Sequence, residues 1–164
     1  MLVRLSFSSI PKGLLLFWSI WLTLVAATNI FDALKQLGVL PAGWTLASYN
    51  YDLVVETVGA HGIPPVIAAL LFAGVIMWEV LAAGLFWRAY VGMRHGRAGT
   101  ADEVSQAFAV SLALWAAFLI ATEATVNYAT APTHKSTLIA QLVSVLVIRS
   151  GEVNGRETRR EERV

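Results

Sequence analysis

The chain has 164 residues, 57% of them hydrophobic and 14% charged, with a formal net charge of +1 at pH 7. Soluble domains carry about 25% charged residues, so this composition fits a polytopic membrane protein with no separate soluble domain, and it offers no basic field for nucleic acid. Cysteine is absent, which excludes disulfides, thiolate catalysis, iron–sulfur ligation and thiolate zinc sites.

The opening MLVRLSFSSIPKG imitates a signal peptide. The apolar run over 13–31 is longer than a usual signal core, and Ala27-Thr28-Asn29 lacks a small-x-small ending, so the run reads as a retained first transmembrane helix. Ser19, Thr23 and Asn29 fall near one line of that helix, and Ser19 and Thr23 are expected to bond their own helix carbonyls.

The connection over 32–62 is too long for a bare loop. Leu37-Gly38-Val39-Leu40-Pro41 reads as a helix stop, which leaves Trp44 at the membrane interface. Over 45–58, Ala47, Tyr51, Val54 and Val58 share one face and Asp52 and Glu56 another, as in a short amphipathic helix lying on the membrane or capping the bundle. Pro64-Pro65 then opens a second transmembrane helix reaching Tyr90. This apolar run is long enough to cross a bilayer, which needs about 20 residues. Glu79 lies close to its middle, where an ionised carboxylate costs at least about 2.5 kcal/mol.

Thr100 and Glu103 predict a capping box for a third helix over 101–128. Ala109, Ala113, Ala117, Ala121 and Thr125 recur every four residues, a ridge on which another helix can approach closely. Glu123 lies away from that ridge. A fourth helix is expected over 134–148, with His134, Thr137, Gln141 and Ser144 as a polar stripe that should face protein or water. The expected fold is therefore all-α: a four-helix transmembrane domain over 1–150, an amphipathic helix in the long first connection, and a charged, flexible, cytoplasmic tail over 151–164. Lys and Arg concentrate before the first helix, between the second and third, and after the fourth. That places both termini on the cytoplasmic side of a cell (inner) membrane.

The intramembrane polar residues form two groups by depth. Glu79, about 22 Å from residue 64 at 1.5 Å per residue, matches Ser19 and Ser144, and Glu79, Ser19 and Gln141 are the candidates for binding a cofactor such as a quinone. Nearer the outer side, Glu123, His134 and His61 are candidate metal ligands, with Asn29, Asp32 and Asn127 as further polar neighbours. No helix carries an axial histidine, which disfavours haem, and no Glu-x-x-His pair writes a dimetal bundle. No P-loop, dinucleotide fingerprint or nucleophile triad is visible.

Glu79-Val80-Leu81-Ala82-Ala83-Gly84-Leu85 resembles the Glu-x-x-Ala-Gly-Leu run in the second helix of a bacterial family of predicted small four-helix integral membrane proteins of unknown function. A glutamate near the end of the third helix, here Glu123, is similar too. The resemblance implies the four-helix layout and two glutamates typical of the group, and it implies no activity. The longer first connection departs from that pattern and is a candidate docking element.

Three functions are compatible with these residues. The first is a small subunit or accessory protein of a larger membrane complex, in redox or energy metabolism, without catalytic activity of its own. The second is a protein with its own intramembrane carboxylate/histidine site for a quinone, lipid or metal ion. The third is an oligomeric small transporter or channel. The expected partners are the lipid bilayer and other membrane subunits or further copies of the chain.

Overall fold

Leu15, Leu22 and Asn29 stand at seven-residue steps, and with Trp18, Ser19, Ala26 and Asp32 they form the buried stripe of the first helix, α1 (Ile10–Gln36). Seven-residue steps keep one seam of a helix against a neighbour. Phe72, Glu79 and Phe86 repeat the spacing on the buried stripe of α3 (Pro65–Arg94). These two stripes face each other and form the most extensive helix pairing in the molecule.

The computed structural model describes the backbone of residues 9–161 and the side chains of residues 9–151. Within them lie only helices and turns: α1, a short α2 (Asn50–Gly59), α3, α4 (Thr100–Ala124), a 3₁₀ turn (Tyr128–Thr130) and α5 (Ala131–Glu161). The long helices pack in order, α1 on α3, α3 on α4 and α4 on α5, and α5 closes back on α1. α1, α3 and α4 are long and apolar enough to cross a membrane. α5, the expected fourth span, is not among these three. Its apolar run is short and shared with His134, Lys135 and Gln141. Its backbone stays helical into the segment assigned to the charged tail, up to Glu161, as suits a stretch rich in Glu and Arg. The rest of that tail, and Arg4 ahead of the first helix, lie outside the described residues.

The apolar core occupies the end of the bundle away from α2. Leu15, Trp18 and Leu22 of α1 meet Ala82, Ala83, Phe86 and Ala89 of α3, with Val104, Ala107 and Phe108 of α4 and Ile148 of α5. The Phe86 and Phe108 rings meet edge to face at 4.9 Å. In lipid such packing gains by van der Waals fit rather than by release of water, so alanines that let backbones approach are effective here. They differ from the expected ones. Ala109, Ala113 and Ala121 of the predicted α4 ridge are exposed. α4 instead turns Val104, Phe108, Ser111, Leu114 and Trp115 inward, because its larger side chains fill the space left by the alanines of α3.

Helix ends also shift. α4 stops at Ala124, where Val126 takes a left-handed φ of 54°. Asn127 then caps the 3₁₀ turn through its side chain to the Ala129 N–H at 3.4 Å. α2 begins after Tyr49, also left-handed at φ 62°. Ala47 and Val58 are buried as the amphipathic pattern predicts, and Asp52 and Glu56 are exposed.

Glu103 closes the turn between α3 and α4. Its carboxylate accepts from Arg88 Nε at 3.0 Å and from Arg97 Nη2 at 2.7 and 2.6 Å. The predicted capping box is not formed, since Thr100 donates to the Arg97 carbonyl at 2.6 Å instead. Gly92 leaves room for this clamp. A Cβ there would lie 2.7 Å from Glu103 Oε2, 2.9 Å from Thr100 Oγ1 and 3.1 Å from Arg97 Nη2. Helix propensity alone favours Gly92→Ala by roughly 0.8–1 kcal/mol, yet the added methyl must displace a carboxylate held by two guanidinium groups. Gly92→Ala is therefore expected to lower the melting temperature in detergent by several degrees. Gly84→Ala, whose Cβ meets nothing within 4 Å, is expected to leave it level or raise it.

Candidate functional site

Glu79 and Asn29 form the centre of the site. Each is 2% exposed. Asn29 Nδ2 donates to both carboxylate oxygens of Glu79, at 2.8 Å each. The other end of the same amide, Oδ1, accepts from Asn50 Nδ2 at 2.8 Å. Asn50 begins α2, so a carboxyl in the middle of α3 is joined through one α1 side chain to the connection that covers this end of the bundle.

Asp32, one turn beyond Asn29 on α1, extends the network. It is fully buried, and its Oδ2 accepts from the Tyr51 backbone N–H at 2.8 Å and from Ser48 Oγ at 3.2 Å. Ser48 Oγ in turn accepts from the Asn50 backbone N–H at 3.2 Å. Asp32 Oδ1 has no hydrogen-bond partner. Among the described residues the only ion pairs are those of Glu103, so no Lys, Arg or His side chain neutralises Glu79 or Asp32. Neutral donors do all the work: an amide, a hydroxyl and a main-chain N–H.

Glu79 is thus placed opposite Asn29 rather than level with Ser19. The expected depth match assumes that α1 and α3 end together on the α2 side. They do not, because the first turns of α3 run past the end of α1 and are covered by α2, where Tyr51 meets Phe72 edge to face at 5.7 Å. Ser19 is buried but bonds its own helix, donating to the Leu15 carbonyl at 2.7 Å. Thr23 does the same toward Ser19 at 2.7 Å and also accepts from Trp87 Nε1 at 3.0 Å.

Gln141, the third expected cofactor ligand, belongs to a different seam. It is fully buried and donates to Ser111 Oγ at 2.6 Å, with its own Oε1 unpartnered. Ser144 accepts from Trp18 Nε1 at 3.0 Å. The polar stripe of α5 thus faces protein at Thr137, Gln141 and Ser144.

The expected metal ligands go to separate partners. His61 Nε2 donates to the Thr125 carbonyl at 3.1 Å. His134 stacks on Phe118 with ring centroids 4.9 Å apart, and its Nδ1 lies 3.5 Å from Thr122 Oγ1. Glu123 is exposed and accepts from the Tyr128 hydroxyl at 3.3 Å. Asn127 donates to Thr57 Oγ1 at 2.8 Å, pinning the other end of α2. Among the described residues no group of three His, Cys, Asp or Glu side chains is placed to hold a metal ion. The pattern of the sequence missed Asn50, Ser48 and Tyr51 as members of the network. The seven-residue steps that bring Asn29 and Glu79 onto facing stripes are the signal that would have found the central pair.

No family model matches the chain, and no curated protein or solved structure matches it either.

Removing the Asn29 amide leaves a buried carboxylate with no donor, which costs about 1–3 kcal/mol or more for a charged group. Asn29→Ala is expected to destabilise the protein by that amount in detergent unfolding, whereas Asn127→Ala, at a part-buried surface contact, should cost less. At the rim, the negative charge of Glu123 beside Tyr128 and the hydrogen bond to it hold the phenol above its ordinary value of 10.0. Glu123→Gln is expected to bring one of the four tyrosines back toward that value in an ultraviolet phenolate titration.

Proposed function

We propose that the chain is an integral subunit or accessory protein of a larger membrane complex, and that it holds a transmembrane helix of a different polypeptide against its α3–α4 face. One observation carries this reading. An open groove of about 610 Å³ runs between α3 and α4 on the outside of the bundle, lined by Gly74, Met77, Trp78, Leu81, Ala109, Val110 and Ala113. Its small residues are Gly74 of α3 with Ala109 and Ala113 of the α4 ridge, all three exposed among the described residues. Small residues at this spacing let helix backbones come close in lipid. Its wall is fixed, because Trp78 Nε1 donates to the Val110 carbonyl at 3.0 Å. A fluid acyl chain needs neither a shaped floor nor a fixed wall.

In this reading α5 is a fourth span. Support comes from its antiparallel pairing with α4 through Ser111 and Gln141, and from a polar stripe turned toward protein. The distribution of Lys and Arg supports both termini on the cytoplasmic side of an inner membrane.

Gly74→Leu and Ala113→Leu test the reading, since a Cβ at Gly74 meets nothing within 4 Å and Ala113 is exposed. Both variants should fold as the wild type does. After purification from the native membrane in mild detergent, the wild-type chain is expected to carry a partner polypeptide that both variants lose. A monodisperse wild-type monomer overturns the proposal, as does a partner retained by both variants. Association with further copies alone replaces the foreign helix by a second copy of this chain.

A further inference from the structure

We propose that α5 is a conditional span: it crosses the membrane only against α4, and the meeting of Gln141 with Ser111 is what admits it. This rests on the reading of α5 as a fourth span and adds what makes it one. By length and composition α1, α3 and α4 can each cross a membrane, and α5 is not among them. Its charge-free stretch is bracketed by Lys135 and Arg149. From residue 135 to residue 149 a helix rises about 21 Å at 1.5 Å per residue, against about 30 Å of hydrocarbon. Both side chains must therefore reach toward water from inside the span. That leaves α5 marginal, so that one buried amide decides its place.

The polar groups of α5 differ in how they are satisfied. Thr137 donates to the Thr133 carbonyl at 2.9 Å and Ser144 to the Ala140 carbonyl at 2.8 Å. Both hydroxyls are thus served by the backbone of their own helix and need no neighbour. Gln141 is fully buried, and its side chain bonds outside the helix, to Ser111 Oγ at 2.6 Å. Its Oε1 has no partner among the described residues. An amide that enters lipid with neither end bonded keeps its whole desolvation cost. Against α4 it recovers one hydrogen bond. Ser111 lies on the inward stripe of α4, a helix that precedes α5 in the chain and can cross without it.

The dependence runs in both directions. Without α5, Trp18 Nε1 of α1 loses the Ser144 hydroxyl it donates to at 3.0 Å. Phe118 of α4 loses the stacked ring of His134. Ile148, a member of the apolar core, leaves with them. The chain therefore has two topologies, with three spans or with four. They differ in the side of the membrane on which the charged residues from Arg149 onward lie.

The absence of cysteine makes a clean test possible. Thr133→Cys and Ser150→Cys, both at exposed residues, place single thiols at the two ends of the proposed span. A membrane-impermeant maleimide is applied to the full chain in sealed native-membrane vesicles, before and after they are permeabilised. With no other change, the two thiols are expected on opposite sides. Ser111→Val removes the hydroxyl that Gln141 meets, and should cut the amount of chain with opposite-sided thiols several-fold. Gln141→Leu added to Ser111→Val removes the amide as well, and should bring that amount back. Because the readout is an amount, the result stands even if Ser111→Val chains are degraded. Thiols on one side without Ser111→Val sink the fourth-span reading and this inference with it. Opposite sides kept in full by Ser111→Val overturn the inference alone, as does a loss that Gln141→Leu does not restore.

Discussion

The amide of Asn29 against the carboxylate of Glu79 is the contact on which the arrangement depends. It sets the register of the two longest-packed helices, because a buried carboxylate must lie where its donor is. With that pair fixed, the indole of Trp87, about two turns further along α3, falls on Thr23 of α1. The ends of the helices then no longer coincide. The first turns of α3 stand beyond α1, and the connection between them must return as a cap, which is the place α2 occupies.

The chain treats its buried acids in two different ways. Glu103, at the turn between α3 and α4, is gripped by two guanidinium groups whose own side chains remain in contact with solvent. Glu79 and Asp32, at the opposite end, are held by neutral donors alone. Charge-assisted bonds are stronger than neutral ones, and a grip of that kind suits a turn that must stay closed. Neutral donors bind less firmly, but an amide or hydroxyl can also exchange the parts of donor and acceptor. The apolar core lies on the Glu103 side of the bundle, so the better-packed end is also the end closed by charge.

Much of the fold was legible in the residues. The apolar runs of α1, α3 and α4 exceed the length needed for a bilayer, and Pro64-Pro65 marks where α3 begins. Ala47 and Val58 gave away the buried face of the α2 connection. Depth was not legible, because counting from a helix end presumes that neighbouring ends are level. That assumption carried Glu79 to Ser19, when seven-residue steps through Leu15 and Leu22 lead to Asn29. The alanine ridge of α4 was visible as a pattern, but a pattern does not say which of two faces a helix turns inward. Here Phe108, Leu114 and Trp115 decided it by volume. His61, His134 and Glu123 share an end of the bundle, yet each had a nearer partner in a carbonyl, an aromatic ring or a phenol.

The length of α3 has a consequence for the lipid around it. Thirty residues extend about 45 Å as a helix, against a hydrocarbon thickness of about 30 Å. Such a helix meets a bilayer by tilting or by standing proud of it. Tied to α1 at Asn29 and Thr23, α3 cannot tilt alone, so a change in thickness moves the pair together. α2, fastened to the same pair through Asn50 and the Tyr51 N–H, moves with it.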